Sequence, residues 1–210
     1  MNELNHFRKE IAYYMRRLYK RGLTTTSGGN ISMKLPNGMI LITASQTDKG
    51  RMKAADVGMT DMHGKNLSTK LKLSMETAMH IAVYKARPDI CAIVHAHPPL
   101  ATSFAVAHKP INTALMGESR AVLGEISTAP YQLMGTAALA ETVATHLAQA
   151  NVVLLENHGV LAVGKDLLQA FDRLEVTEAC AKIQFYSQLI GQPQALSAEE
   201  VQAIDKLTQP

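Results

Sequence analysis

Three histidines and one glutamate carry the chemistry that can be read from this 210-residue sequence. Two of the histidines stand in Val94-His95-Ala96-His97-Pro98, directly after the apolar run Ile90-Cys91-Ala92-Ile93-Val94. That run reads as a buried strand. Side chains alternate along a strand, so residues two apart share a face. His95 and His97 thus project side by side, where neutral imidazoles can bind one divalent cation. Pro98 and Pro99 then end the strand. A third histidine, His158, lies between the apolar runs 152–155 and 160–163. The pattern is strand, tight bend, strand, with Gly159 expected to permit the bend and His158 at its apex. Three imidazoles leave a fourth coordination position open, as in catalytic rather than structural zinc sites. The alternative is three ordinary histidines in the core and in a turn. Spacing alone leaves both readings open.

Glu76 falls on the first turn of a helix that Ser74 can cap. A carboxylate there interacts favourably with the helix dipole and needs no further role. Facing the histidines, it would instead serve as an acid or base. Two loops have the makings of an anion site. Ser27-Gly28-Gly29-Asn30 offers bare amides, a hydroxyl and a carboxamide, while Thr43, Ser45 and Thr47 add hydroxyls and Lys49 adds charge. The helix start at Ser74 also favours anions. Each loop taken singly is also explained as a turn. No Walker-type glycine loop is present, which argues against a nucleoside triphosphate.

Several elements must hold these residues. Leu4, Phe7, Ile11, Tyr14, Met15 and Leu18 form one stripe of a helix over 3–21 that Gly22 stops. Strands over 31–35 and 39–43 flank the turn Pro36-Asn37-Gly38. A further hairpin is expected over 57–70, around His63-Gly64-Lys65-Asn66. Helices are expected from Ser74 to about Lys85, over 136–149 and over 166–190, the last closed by Gly191. Ser197-Ala198-Glu199-Glu200 is a capping box before a short C-terminal helix. Strands and helices are interspersed without a βαβ rhythm, repeats or long linkers, which predicts one α/β-type domain over 1–210.

Composition narrows the function. Nearly half the residues are hydrophobic and the net charge is only +3. No basic stripe with interleaved aromatics supports a nucleic-acid partner. No apolar run approaches the roughly 20 residues of a membrane span. Cys91 and Cys180 stand apart in apolar surroundings and read as buried thiols suited to a reducing cytosol. The first ten residues carry no apolar signal segment. A cytoplasmic location is expected.

Five motifs in series give a resemblance. Gly29-Asn30-Ile31-Ser32, Ile42-Thr43-Ala44-Ser45, Ser74-Met75-Glu76, His95-Ala96-His97-Pro98 and Asn157-His158-Gly159 occur in that order. The chain from about 5 to 190 thereby resembles the class II aldolase/adducin family. The resemblance implies an α/β (α+β) fold, a three-layer αβα sandwich around a central, mostly antiparallel sheet. It implies a divalent ion, commonly zinc, on His95, His97 and His158, with Glu76 as catalytic acid/base. The family's phosphate pocket would fall on Gly29, Asn30, Ser45, Gln46, Ser74 and Met75. Where the fuculose-phosphate-cleaving members carry Thr-Gly and Ser-Ser-Glu, this chain has Ser45-Gln46 and Ser74-Met75-Glu76.

The activity implied is cleavage of a small phosphorylated sugar, or a related hydroxy-carbonyl compound, through a metal-stabilised enediolate. Two alternatives stand beside it. One is a decarboxylase, dehydratase or epimerase of a sugar-acid or sugar phosphate, with Lys49 and Arg120 available to a substrate carboxylate. The other is a non-catalytic adducin-like interaction domain, which the three histidines and Glu76 disfavour. The resemblance further implies a homotetramer, with Glu118 and Arg120 approaching a neighbouring subunit's metal.

Overall fold

A computed structural model describes residues 3–208. Seven strands form one sheet: β1 (Asn30–Lys34), β2 (Ile40–Thr43), β3 (Val57–Thr60), β4 (Ala92–Ala96), β5 (Ile126–Ala129), β6 (Val152–Leu155) and β7 (Gly159–Gly164). Their order is β3-β2-β1-β4-β7-β6-β5, and all neighbours are antiparallel except the parallel pair β5 and β6. Helices cover both faces. Helices α1 (Glu3–Lys20), α3 (Pro99–Val106) and α6 (Leu167–Ile190) pack on one, against Ile31, Leu41, Val94, Leu154 and Ala162. Helices α2 (Thr77–Ala86) and α5 (Ala137–His146) pack on the other, against Ile93, Val153, Leu161 and Val163. The expected α/β architecture of three layers around a mostly antiparallel sheet is the one found.

The alternation of β4 decides where the chemistry lies. Ala92, Val94 and Ala96 join the α1–α6 core, while Ile93 joins the α2–α5 core. The parity that sends Ile93 toward α2 sends His95 there too. In the sheet register Asn30 of β1 stands directly opposite His95.

Most expected elements form with boundaries moved by a few residues. Helix α1 ends where Gly22 takes φ +68° and the Leu23 amide bonds back to the Leu18 carbonyl. Asp166 caps α6 by accepting from the Gln169 amide. Ser197 and Glu200 form the reciprocal box that opens α7 (Ala198–Thr208). Other expectations need correction. The strand begins two residues later than 90 and ends at Ala96, so it keeps His95 but leaves His97 just beyond it. The hairpin over 57–70 keeps only β3, because Asp61 folds the return arm into a turn by accepting from the His63 and Lys65 amides. Only the single bridge between Thr60 and Asn66 pairs the two arms. Helix α2 starts at Thr77, with Glu76 at its cap and the Ser74 hydroxyl accepting from the Glu76 amide at 3.3 Å. Helices α3 and α4 (Gly117–Leu123) and strand β5 were not expected.

Candidate metal centre

The three histidines reach one place by different routes. His95 is fully buried on β4. His97 follows the strand's end, its amide bonded to the Leu23 carbonyl at 3.1 Å. His158 sits in the β6–β7 turn. The turn itself differs from expectation. Asn157, not Gly159, adopts the left-handed conformation, with φ +53°. Asparagine tolerates that region better than most residues. Gly159 serves a different need, close approach. A Cβ there would lie 2.7 Å from the Ala96 carbonyl oxygen and 2.7 Å from His97 Cδ2. Gly29, at φ +66°, likewise lets β1 approach β4, since its Cβ would meet the His95 carbonyl at 2.7 Å. The turn is also held from outside, where His108 Nε2 and Asn157 Oδ1 are 2.9 Å apart.

One potential ligand nitrogen from each of His95, His97 and His158 lies within 4.8 Å of the others. The carboxylate stands beside them. Glu76 Oε2 is 3.3 Å from His95 Nε2, and Oε1 is 3.3 Å from His158 Nε2. Neither contact is a hydrogen bond. His95 Nε2, His158 Nε2 and Glu76 Oε1 are buried without any hydrogen-bond partner. His95 Nδ1 contacts the Val160 carbonyl at 3.0 Å. A carbonyl only accepts, so Nδ1 holds the proton and Nε2 offers a lone pair. Two acceptors thus face each other in a buried space, an unfavourable arrangement that a cation between them would resolve. The residues fit a divalent ion on this observation alone.

Electrostatics agree. Burial lowers the pKa of His97 to about 3 and of His158 to about 4. Both rings are neutral near pH 7 and keep their lone pairs. Burial raises the Glu76 carboxyl, but the Asn30 NH2 donating to Oε2, and the attraction of a neighbouring ring whenever one takes a proton, outweigh it and lower its pKa. Glu76 is therefore an anion. Its side chain caps none of the α2 amides. A helix-dipole partner alone does not account for its placement.

The anion loops also meet, but their groups are largely engaged. The Ser45 amide donates to the Lys72 carbonyl, Ala44 bridges Leu73, and the Lys49 amide donates to the Thr26 carbonyl. Those contacts join the stretches carrying Gly29, Ser45, Gln46, Ser74 and Met75. Gln46 is exposed, with φ +56°, and Met75 is exposed beside Gly135. Asn30 is buried, with Nδ2 donating to Glu76 Oε2 at 2.7 Å and Oδ1 facing His80 Nε2. His80 belongs to the site and was missed in the sequence. Its position one helical turn after Glu76 is the signal that would have found it.

Lys49 and Arg120 do not serve as expected. Lys49 is buried, its ammonium donating to the Ala44 carbonyl and the Thr47 hydroxyl. Arg120 makes a bidentate pair with Asp205 of α7, both bonds 2.6 Å. Both cations are engaged within the chain, so neither supports a carboxylate-bearing substrate.

Comparison with known proteins places this geometry. The family model of the class II aldolase and adducin N-terminal domain matches residues 9–185, and the chain belongs to that family. Its relatives are enzymes. The 5-deoxy-D-ribulose 1-phosphate aldolase of Bacillus thuringiensis is 32% identical over 202 residues, covering 95% of this chain and 93% of the relative. The 3-oxo-tetronate 4-phosphate decarboxylase of Haemophilus influenzae is 33% identical over 174 residues, covering 81% and 82%. A solved L-fuculose 1-phosphate aldolase superposes with a TM-score of 0.89 at 32% identity, covering all of this chain and 98% of that one. The chain is accordingly an enzyme of the class II aldolase type rather than a non-catalytic interaction domain. No helix among the described residues is long and apolar enough to cross a membrane.

Proposed function

We propose that this enzyme cleaves a small phosphorylated ketose, or a related phosphorylated hydroxy-carbonyl compound, in a retro-aldol reaction. The observation that carries the reading is the buried confrontation of Glu76 with His95 and His158, each contact 3.3 Å. His95, His97 and His158 would hold a divalent ion, zinc being well suited to three imidazoles. Such an ion supplies positive charge where negative charge develops on substrate oxygens.

The chain's own residues do the rest. Glu76, an anion with one oxygen held by Asn30 and the other unpartnered, accepts and returns a proton. Cleavage transfers the electron pair of the breaking carbon–carbon bond onto the carbonyl-bearing half. Glu76 takes up the hydroxyl proton of the departing half as its aldehyde forms, and then delivers a proton to the enediolate carbon, which returns it to the anion. The loops carrying Gly29, Asn30, Ser45, Gln46, Ser74 and Met75 would take the phosphate, with backbone amides as the main donors. A site that fixes the remote phosphate aligns the reacting carbons. The active molecule would be a cytoplasmic homotetramer. Decarboxylation on the same scaffold is the second reading, favoured by the likeness to the 3-oxo-tetronate 4-phosphate decarboxylase.

Incubating the purified, metal-loaded protein with a panel of ketose phosphates and sugar-acid phosphates, with product identification, tests the proposal. An aldehyde and a phosphorylated hydroxyketone support it. Carbon dioxide release from a sugar-acid phosphate, with no ketose cleaved, would replace it with the second reading.

A further inference from the structure

A line of polar side chains runs from Glu76 into the α2–β1 interface, through a layer that is otherwise apolar. Asn30 Nδ2 meets Glu76 Oε2 at 2.7 Å, and Asn30 Oδ1 meets His80 Nε2 at 2.5 Å. His80 Nδ1 meets Ser32 Oγ at 2.6 Å, and Ser32 Oγ meets the Tyr84 hydroxyl at 2.9 Å. His80 and Ser32 are 0% exposed and Tyr84 is 2% exposed. Around them lie Met79, Val83, Ile40 and Ile93 of the α2–α5 core. Packing alone gives no reason for polar groups here, since apolar ones would fill the layer without needing partners.

The line follows from two periodicities that match. Glu76, His80 and Tyr84 are four residues apart and rise about 6.0 Å per step along one helical stripe. Asn30 and Ser32 are two residues apart on one face of β1, about 6.6–6.8 Å. A helix laid along a strand with these spacings brings the two rows together step by step.

Hydrogen-bond chemistry gives the line one direction. Glu76 is anionic and only accepts, so the Asn30 NH2 must face it and the Asn30 carbonyl must face His80. That carbonyl also only accepts, so His80 Nε2 must carry the proton. Burial keeps the His80 ring neutral. Its Nδ1 is therefore an acceptor and Ser32 donates to it, so the Tyr84 proton goes to Ser32 at 2.9 Å rather than to the Cys91 carbonyl, which lies farther off at 3.4 Å. Asn30 sits in the middle as a neutral amide, a poor carrier of protons. What the line transmits is orientation.

We propose that His80 is a positioning residue for the reaction, setting the Asn30 amide so that its NH2 holds Glu76 Oε2 and leaves Oε1 turned to the metal and substrate. The inference rests on the aldolase reading for the role of Glu76, but the direction of the line is testable without it. Without His80 the Asn30 carbonyl loses its donor, so the amide is held at the Glu76 end alone and the carboxylate loses its fixed orientation.

The test uses zinc-loaded protein with 15N-labelled histidine. In the wild type, His80 should be the neutral tautomer protonated at Nε2. An Nδ1-protonated ring or an imidazolium would overturn the proposal, whatever the enzyme turns over. Kinetics add a second arm. His80→Leu should lower kcat by about 10- to 100-fold with little change in KM or zinc content, as misplacement of a reacting group does. His80→Gln carries an N–H donor near the Nε2 position and should recover kcat to within about threefold of wild type. Equal impairment of the Leu and Gln variants, or no impairment of either, would overturn the positioning role. Should His80→Leu fail to fold, Ser32→Ala replaces it. That variant removes the donor to Nδ1 and should free the tautomer and lower kcat by a smaller factor, and an unchanged tautomer and kcat would count against the line. A wild-type enzyme that cleaves no phosphorylated ketose would defeat the aldolase reading, while the tautomer still decides this one.

Discussion

The histidine cluster and the loops beside it treat their polar atoms in opposite ways. In the cluster, His95 Nε2, His158 Nε2 and Glu76 Oε1 are buried without partners. In the loops, the Ser45 amide, the Ser74 hydroxyl and both ends of the Asn30 amide already have partners within the chain. Unpartnered buried atoms are costly and persist where a ligand completes them. Engaged atoms persist without a ligand and must exchange partners to bind one. The cluster could take a cation as it stands, whereas the loops would have to rearrange to take an anion.

The largest effects expected lie in the cluster. Replacing His95, His97 or His158 by Ala should remove the bound ion and abolish detectable turnover, with metal analysis and activity measured on the same preparation. Glu76→Gln should keep the fold and most of the metal, yet cut kcat by a factor on the order of 10²–10⁴. Near-normal turnover would reduce Glu76 to a partner of the α2 dipole. Asn30→Ala bears on both regions. As a phosphate contact alone, Asn30 would chiefly affect KM. Its two bonds to Glu76 and His80 predict a fall in kcat as well, roughly tenfold, if misplacing the carboxylate is what matters. A pure KM effect would return Asn30 to the phosphate.

Acid should expose the same contrast. Burial lowers the pKa of His80 and His97 from 6.5 to about 3, and of His158 to about 4. The unfolded chain takes up these protons near pH 6.5, and the folded one only near 3–4. Between those limits the unfolded state binds more protons, so stability rises with pH. Glu76 acts in the same direction at lower pH. Its folded pKa lies below 4.5, so its contribution is present above about 4.5 and fades as pH falls further. Melting of metal-free protein should therefore move to lower temperature as pH drops below about 6.5. His80→Gln should flatten that slope. A melting temperature constant from pH 7 to 4.5 would contradict the neutral, buried state of these rings.

The smallest effect belongs to the loops. Gln46 holds a left-handed backbone at φ +56°, which costs a non-glycine residue roughly 1 kcal/mol. Gln46→Gly should stabilise the fold by up to that amount in chemical denaturation, less any gain in unfolded-chain entropy.

The division between what the sequence reveals and what it hides follows the same line. The place of His95 follows from strand parity, which is local, whereas His97 lies just beyond β4 and reaches the cluster after the strand's end, where parity no longer applies. The loops were visible as glycine-rich and polar, but the partners of Asn30 depend on β1 lying against α2, a contact between residues about 50 apart. His80 and Tyr84 read as ordinary helix residues until the strand beside them supplied Asn30 and Ser32. Helices α3 and α4 lack a strong apolar stripe and form by packing, so periodicity did not announce them. Arg120 looked available because Asp205, its partner, is 85 residues away.

Anomalous diffraction from crystals of the purified enzyme, collected on both sides of the zinc edge, tests the central claim most directly. The expected result is one peak per chain, about 2.0–2.1 Å from a ring nitrogen of each of His95, His97 and His158, with Glu76 beside it. A fully folded, active enzyme with no anomalous peak among these three rings would contradict it.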